Sequence, residues 1–555
     1  MVAAAQHPHY YQDGSEVGAM ILPDWPMVRI TRRKETVQSR GINYSDNYGD
    51  GDLAGSENLS VRRWPYIATR NGRKRVEGIQ SVTALTSWNG LVAIRPGDHD
   101  GTWEDEVLYR GEHAGWLEHT DKPRQFAAVN TKLVIWPDKA YLDLNAKTIK
   151  PLGAALAATG ATVAVTEVTK DGKVTNTTTI TFTTDKDLTT MFHANDGVEL
   201  SGFTNAANNR ALVIQSVAAK KITVDTGDFV NETATGKTIT LERKIPAFDY
   251  ICESGNRLWG VSNADKTIYS SSLGDPTNFY VTRGISTDSY AVAVATAGDF
   301  TGCCKLSSSV LFWKEETLHK ILGNYPAEYV MYTYEMEGVR AGCGKSMTII
   351  NGALYYVGLH SVYSYAGGTP ADISSVFGEH TITEAVGGTD GEKYFLSCLD
   401  DGEEALYVFA PHYGVWLRED SFRAVDITRE GEDAYLLRRD GSVWIADSRE
   451  QDEQIEWSME YKPYFETIEG RKRVSRLLIR MEIPEGTWLR VETSTDDEPW
   501  QEAGLIKGPR ADTVPLQIQP RRGDQYKVRL RGHGPCVIKG VLREYLQGGY
   551  QGGYD

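Results

Sequence analysis

The chain has 555 residues, of which 41% are apolar and 10% aromatic, and its formal net charge is −16. That length holds roughly two to four domains with a sizeable core. The acidic balance excludes tight non-specific binding to nucleic acid, which needs clustered Lys and Arg.

Gly (54), Tyr (29) and Trp (13) are frequent, a mix suited to many short strands joined by turns. Residues 1–56 are polar, carry an acidic, Gly-rich patch at 45–57 and include His7 and His9. They read as an extended N-terminal arm. No basic stretch followed by an apolar run opens the chain, so no signal peptide is expected. The longest apolar run, 151–165, is too short to cross a membrane and is broken by glycines. No membrane insertion is expected.

From there a hairpin recurs: an apolar strand, a tight polar turn, and a second strand rich in Tyr, Trp or Leu. Its first strands are GLVAI at 90–94, KLVIW at 132–136, RLWG at 257–260, VLFW at 310–313, ALYY at 353–356, KYFL at 393–396 and AYLL at 434–437. Leu91 to Leu133 is 42 residues, Leu311 to Leu354 is 43, Leu354 to Tyr394 is 40, and Tyr394 to Tyr435 is 41. Such a period matches one four-stranded propeller blade. Leu258 to Leu311 is 53, a blade with a longer loop. The expected fold is therefore all-β: a β-propeller of about six or seven blades. Its first blades fall at 57–158 and the remaining ones at 244–450.

Leu133 to Leu258 spans 125 residues, far more than one blade needs. The surplus coincides with 159–243, which is rich in Thr, Val and Ala and has neither Trp nor Tyr. It reads as a small β-domain inserted between blades, since a long surface insertion costs little extra closure entropy. Residues 451–546 form a further β-rich region with alternation at 526–531, read as a C-terminal β-sandwich-like domain. From Arg471 to Glu544 it holds 15 Lys+Arg against 10 Asp+Glu. Residues 547–555, Gly- and Tyr-rich, read as a flexible tail.

No motif carries chemistry. Residues 338–346, GVRAGCGKS, approach a phosphate-binding loop, but the first Gly stands one residue too far from Gly344-Lys345-Ser346, and a strand rather than a helix follows. Residues 494–500, STDDEPW, resemble the Asp-box of sialidase propellers but lack its central Gly. His113 and His119 flank Trp116 beside Glu112 and Glu118 without a third ligand, and read as a solvated loop. Asp400, Asp401, Glu403 and Glu404 sit at a predicted hairpin turn, a position that favours solvation. Six cysteines, Cys252, Cys303, Cys304, Cys343, Cys398 and Cys536, show no C-x-x-C spacing and read as reduced core thiols. The expected sets of catalytic, cofactor-binding and metal-binding residues are empty, and no enzyme activity is expected.

Several stretches resemble a known family: RLWGVS at 257–262, TIYSSSLGDPTNFY at 267–280, FTGC at 300–303, AVGGTDGEKY at 385–394 and GVWLRED at 414–420. Together they are similar to the phage packaged-DNA stabilisation family, the tail nozzle proteins of short-tailed phages. The likeness covers 125–544, with the inserted domain as extra; Asn58-Leu-Ser60 and Arg73-Lys-Arg75 extend it. This resemblance implies a structural virion protein of the phage tail, assembled in the host cytoplasm. It implies self-association into a ring, a hexamer, contacting the portal, the adaptor and other tail proteins. Such a ring forms a DNA channel that helps retain and eject the genome, with duplex DNA passing without specific binding. An acidic chain suits a wall that repels phosphates. The alternatives are a receptor- or glycan-binding tail-tip protein on the same scaffold, and a glycoside-active propeller.

Overall fold

A computed structural model describes residues 31–170, 173–224, 228–448, 455–466, 471–519 and 521–547. The structure is all-β. No helix among these residues is long and apolar enough to cross a membrane.

Seven four-stranded antiparallel sheets follow one another, the first six simple meanders. Sheet 1 runs from Ala84–Ser87 to Glu112–Glu118 and sheet 2 from Gln125–Val129 to Thr148–Pro151. Sheet 3 runs from Tyr250–Ser254 to Tyr290–Ala293 and sheet 4 from Gly302–Leu306 to Val330–Glu335. Sheet 5 runs from Thr348–Ile350 to Ala371–Asp372 and sheet 6 from Ile382–Thr389 to Val415–Asp420. Sheet 7 takes three strands, Ala424–Glu430, Asp433–Arg438 and Val443–Ile445, from its own stretch of chain. Its fourth is Lys74–Arg75, which precedes sheet 1 by some ten residues.

The recurring apolar strand of the sequence is the second strand of every sheet. Ser309–Trp313 and Arg257–Ser262 are buried along their whole length. A continuous apolar run of this kind belongs to a strand covered on both faces, and the core clusters show what covers it. Leu133 and Ile135 of sheet 2 pack with Val92 and Ile94 of sheet 1. Trp259 of sheet 3 packs with Phe312 of sheet 4, and Trp313 of sheet 4 with Tyr356 of sheet 5. The circuit closes where Leu437 and Val443 of sheet 7 meet Leu85, Ala93 and Leu108 of sheet 1. Between the first two strands of sheet 5, Asn351 and Gly352 both take positive φ, 50° and 81°. That is the two-residue turn whose twist matches a hairpin.

Residues 154–243 form a closed six-stranded barrel inserted between sheets 2 and 3. Its core includes Leu156, Phe182, Phe192, Ile214, Ile222 and Leu241. The barrel begins at Ala154, five residues before the expected boundary. It is pinned by one loop of sheet 3. Asn278 donates to Asp196 Oδ1 (3.1 Å) and to Asp275 Oδ2 (2.6 Å) and accepts from the Gly197 amide (3.1 Å). Asp196 also binds the guanidinium of Arg243 (2.5 Å). A Cβ on Gly197 would lie 2.6 Å from the Tyr280 carbonyl oxygen, so the close approach admits only glycine.

The chain ends build two further sheets around one core that includes Leu53, Ile67, Leu477, Val491, Val528 and Val541. One sheet joins Leu59–Arg63, Tyr66–Thr69, Val537–Gln547, Lys472–Glu482 and Thr513–Gln517, with Thr31–Thr36 and Arg522–Gly523 at its sides. The other joins Gly41–Ile42, Asp52–Glu57, Glu456–Tyr461, Tyr526–His533, Trp488–Thr495 and Gln501–Lys507. Here the structure departs from two expected boundaries. Half of residues 31–56, expected as an arm, lies in strands of this unit, with Thr31 paired to Leu546 and Thr36 to Val541. Residues 57–75, expected in the first blades, supply two more of its strands and the closing strand of sheet 7. The cause is backbone pairing: Thr31–Thr36 reads TRRKET, so it joins the sheet through its amides without an apolar alternation to announce it. Residues 1–30 and 548–555 of the expected arm and tail, with His7 and His9, lie outside the described residues.

Two outcomes follow from this packing. His319 of sheet 4 is fully buried, its ring nitrogens 2.9 Å from the hydroxyls of Thr296 and Thr333. Burial, aided by nearby Lys314, pushes its pKa down from 6.5 to about 4. The unfolded chain therefore binds a proton there before the folded one does. Stability from this group is complete above pH 6.5 and lost as pH falls toward 4, by about 3 kcal/mol in full. Urea unfolding at stepwise pH should show this loss in the wild type and a smaller slope in His319→Gln. Gly197→Ala should cost about 1–3 kcal/mol and raise hydrogen exchange at 196–198 ahead of the rest of the barrel.

Candidate functional site

The leading ends of the first strands of all seven sheets converge on one cavity of about 870 Å³. Its wall includes Ile251 of sheet 3, Cys303 of sheet 4, Met347 ahead of sheet 5, Val386 of sheet 6 and Val425 of sheet 7. Lys122, Arg124, Lys345, Arg423 and Arg439 bring five cations to it, against the two carboxylates of Asp121 and Glu384.

Most of these cations are already matched. Arg124, 1% exposed, binds Asp105 at 2.7 Å and Asp138 at 2.8 Å. Burial works against its charge, but Asp138 and Asp105 outweigh it and hold the guanidinium above its ordinary value. Lys345 pairs with Asp426, whose carboxyl is pushed up by burial in spite of that lysine. Arg423 is nine-tenths buried. Its Nη2 donates to the Glu384 carbonyl oxygen (2.8 Å) and carboxylate (3.1 Å). Its Nη1 is buried and finds no acceptor among the described residues. Lys122 and Arg439 stand exposed at the rim.

The motifs weighed in the sequence fall as follows. Gly344–Ser346 is a single 3₁₀ turn; the Ser346 hydroxyl donates to the Cys343 carbonyl (2.6 Å) and accepts from the Val357 amide (3.0 Å). Its lysine and serine are thus engaged within the fold, and no phosphate cradle forms. Residues 494–500 are an acidic turn: Asp496 and Asp497 have positive φ, and Asp496 Oδ1 accepts from the amides of Asp524 and Gln525.

His113 and His119 do not share a site. His113 binds Glu106 (2.9 Å), and His119 binds Asp105 (2.8 Å), a contact that raises the His119 pKa. They lie on or beside the long hairpin of sheet 1 rather than in a loop of their own. Trp116 stacks under His99 at 4.9 Å.

Asp400 differs from its expected solvated state. Its carboxylate lies 3.0 Å from His380 Nδ1 and accepts from the Tyr407 hydroxyl at 2.5 Å, which together cover it; Asp401, on the turn, stays exposed. His380, Asp400 and Asp401 bring ligand atoms within 4.8 Å of one another, and among the described residues they are the group spaced to share a cation. The six cysteines are free thiols, five of them buried. Burial pushes the Cys304 and Cys398 thiols up, away from thiolate reactivity.

The sequence reading named His119, Cys303, Cys304, Gly344 and Lys345 for other reasons, and did not single out Arg124, Arg423 or Arg439. Most cavity residues stand just before or within a first strand, while the visible repeat lies in the second; Arg439 follows the second strand of sheet 7. The only signal was the register of the repeat itself, since the residues ahead of each hairpin must meet if the sheets close.

No family model and no curated protein matches the chain. Solved structures give remote likenesses. Hsv2 of Kluyveromyces lactis is 13% identical, with 36% of this chain and 60% of that one covered, at a TM-score of 0.26. An exo-β-1,3-galactanase of Phanerochaete chrysosporium is 9% identical, with 53% and 94% covered, at 0.22. The extracellular domain described as a one component system of B. thetaiotaomicron is 10% identical, with 87% and 62% covered, at 0.33. The chain thus spans less than two thirds of the length of two of these three. Likenesses of this size say nothing of activity.

Arg124 offers a direct check on the cavity wall. Arg124→Met leaves Asp105 and Asp138 buried without their cation and should destabilise the protein by about 3–5 kcal/mol in urea unfolding. Arg124→Lys, which keeps the charge but not the fork, should fall between.

Proposed function

We propose that the seven sheets form a seven-bladed β-propeller and that the protein is a structural component of a phage tail. In this reading it is a nozzle or hub subunit whose copies form a ring around a DNA channel. The propeller reading is supported by the core shared from sheet to sheet and from the seventh back to the first, and by the seventh sheet taking its last strand from ahead of the first.

One observation carries the structural role: the stretches that resemble the nozzle family are spent on joints. Asn278 of the SLGDPTNFY phrase fastens the barrel to sheet 3, and Asp275 beside it reaches Lys132 of sheet 2 at 3.4 Å. Arg257, 1% exposed, donates to the carbonyls of Ser271, Ser286 and Asp288 and so shapes that same loop. Asp420 of GVWLRED receives Arg73 at the closure of sheet 7 (2.5 Å). Residues that set distances between sub-structures suit a protein whose work is architectural. The central cavity, at about 870 Å³, is too small to pass a duplex. The channel of this proposal runs between copies, where the acidic surface would face phosphates.

The second reading, a receptor- or glycan-binding tip protein, draws on sheet 1. There Trp103 is 59% exposed and sets its edge toward the ring of His119 (5.9 Å). The inserted barrel gives it no support, since Phe182, Phe192, Phe203 and Phe229 are all buried.

Cryo-electron microscopy of the purified full chain, with sedimentation velocity, separates the two. A six-fold ring with a hole wide enough for duplex DNA is the expected result. A monomer that binds host cells and never closes into a ring would overturn the nozzle reading in favour of the tip.

A further inference from the structure

We infer that a second pocket, in the unit built from the chain ends, is a binding site for a phosphate monoester: a doubly charged oxyanion carried on an apolar group. The pocket holds about 500 Å³, within the range of cavities that take small molecules. Arg62, Arg63 and Arg510 border it, with Glu482 as the carboxylate among its lining residues. Consecutive residues of a strand face opposite sides of their sheet. Arg62 and Arg63 nonetheless reach one pocket, because the pairing of Leu59–Arg63 with Tyr66–Thr69 slips between Ser60 and Arg63.

Two of these charges are unmet and open to solvent. Arg62 is half-buried, and its Nε donates to the Thr69 carbonyl (2.7 Å), which fixes the side chain. Its terminal nitrogens make no hydrogen bond or ion pair among the described residues, and they are not sealed off as the Arg423 Nη1 is. Arg63 is exposed and likewise has no ion pair among those residues. Burial, and then the like charge of Arg63, pushes the Arg62 guanidinium below its ordinary value. An anion between the two would relieve that repulsion. Arg510 binds Asp512 at 3.1 Å, but both are about half exposed, and such a pair is weak in water. Glu482 turns to Lys539.

The frame of the pocket is already set. Ile483 and Arg510 exchange amide–carbonyl hydrogen bonds of 2.8 Å, and Val537 pairs with Ala68. A ligand would therefore pay little to order it. Two open guanidinium groups suit a dianion better than a single carboxylate, and their planar forks fit phosphate oxygens. Ile483, Pro509 and Pro535 supply the wall for the apolar part.

The experiment uses the full chain at about pH 8, where a phosphate monoester carries two charges. Phenyl phosphate, benzoate and neutral benzamide are titrated by calorimetry up to about 10 mM, the weak end of specific recognition. Phenyl phosphate should bind at least about tenfold tighter than benzamide, with benzoate between them. Arg62→Met should abolish that preference. Because Arg62 also holds Thr69, Arg63→Ala at the exposed rim runs beside it and should weaken phenyl phosphate several-fold and flatten its salt dependence. Arg531→Ala, an exposed arginine of the same unit outside the pocket, removes the same charge and should leave binding unchanged. The inference is overturned if phenyl phosphate does not bind in that range, if benzoate or benzamide binds as tightly, or if Arg531→Ala weakens binding as much as Arg63→Ala.

Discussion

Two residues of backbone decide whether this fold is closed. Lys74 and Arg75 pair with Ile445 and Trp444 and complete a sheet whose other strands lie some 350 residues further along. Without them sheet 7 ends in an open edge, and the core that Leu437 and Val443 share with sheet 1 has a free border. Charge holds the seam as well as backbone. Arg73 is buried against Glu419 and Asp420, which outweigh the cost of burying it and hold its pKa up. Asn71 reaches Asp447 at 2.5 Å, and the Val76 amide reaches Val443 at 2.8 Å. No disulfide ties the seam, since every cysteine is free.

The same device recurs wherever independent pieces meet: a buried cation held by two or more acceptors. Arg243 and Asp196 join the barrel to its stem, and Arg124 joins sheets 1 and 2 through Asp105 and Asp138. Arg543 anchors the end-built unit to Glu466 at 2.7 Å with its guanidinium 3.5 Å above the Tyr464 ring. Such pairs add little net stability over well-packed apolar groups, but breaking one is costly, so they fix which arrangement is allowed. These cations are not always fully satisfied: Arg73 and Arg257 each keep a buried Nε, and Arg423 a buried Nη1, without an acceptor among the described residues.

What the sequence made legible was whatever repeats locally. All seven apolar runs, from GLVAI to AYLL, turned out to be second strands, because a strand covered on both faces must be apolar along its length. The barrel announced itself by composition and by the break in period. Pairing between distant segments left no such trace. Thr31–Thr36 is polar and Lys74–Arg75 is only two residues long, so neither shows a pattern, and both find their place by pairing with strands hundreds of residues away. The cavity was hidden for a related reason. Arg423, Lys345 and Arg439 are scattered single residues that meet only when the circuit of sheets is complete.

The pairing of Thr31 with Leu546 carries a consequence for biosynthesis. A ribosome releases Thr31–Thr36 about 500 residues before Val537–Gln547, so the sheet they share cannot form until the later segment has emerged. The six meanders, built from neighbouring segments, can form as they emerge, while residues 31–69 wait beside them for their partners. Emergence of Val537–Gln547 thus becomes the event that locks the unit built from these distant segments. A chain cut before residue 537 would have finished sheets and an unpaired strand at Thr31–Thr36. Long-range pairing of this kind delays folding and leaves edges exposed meanwhile. A chain that includes residue 547 is therefore marked by a surface that a chain cut before residue 537 cannot make.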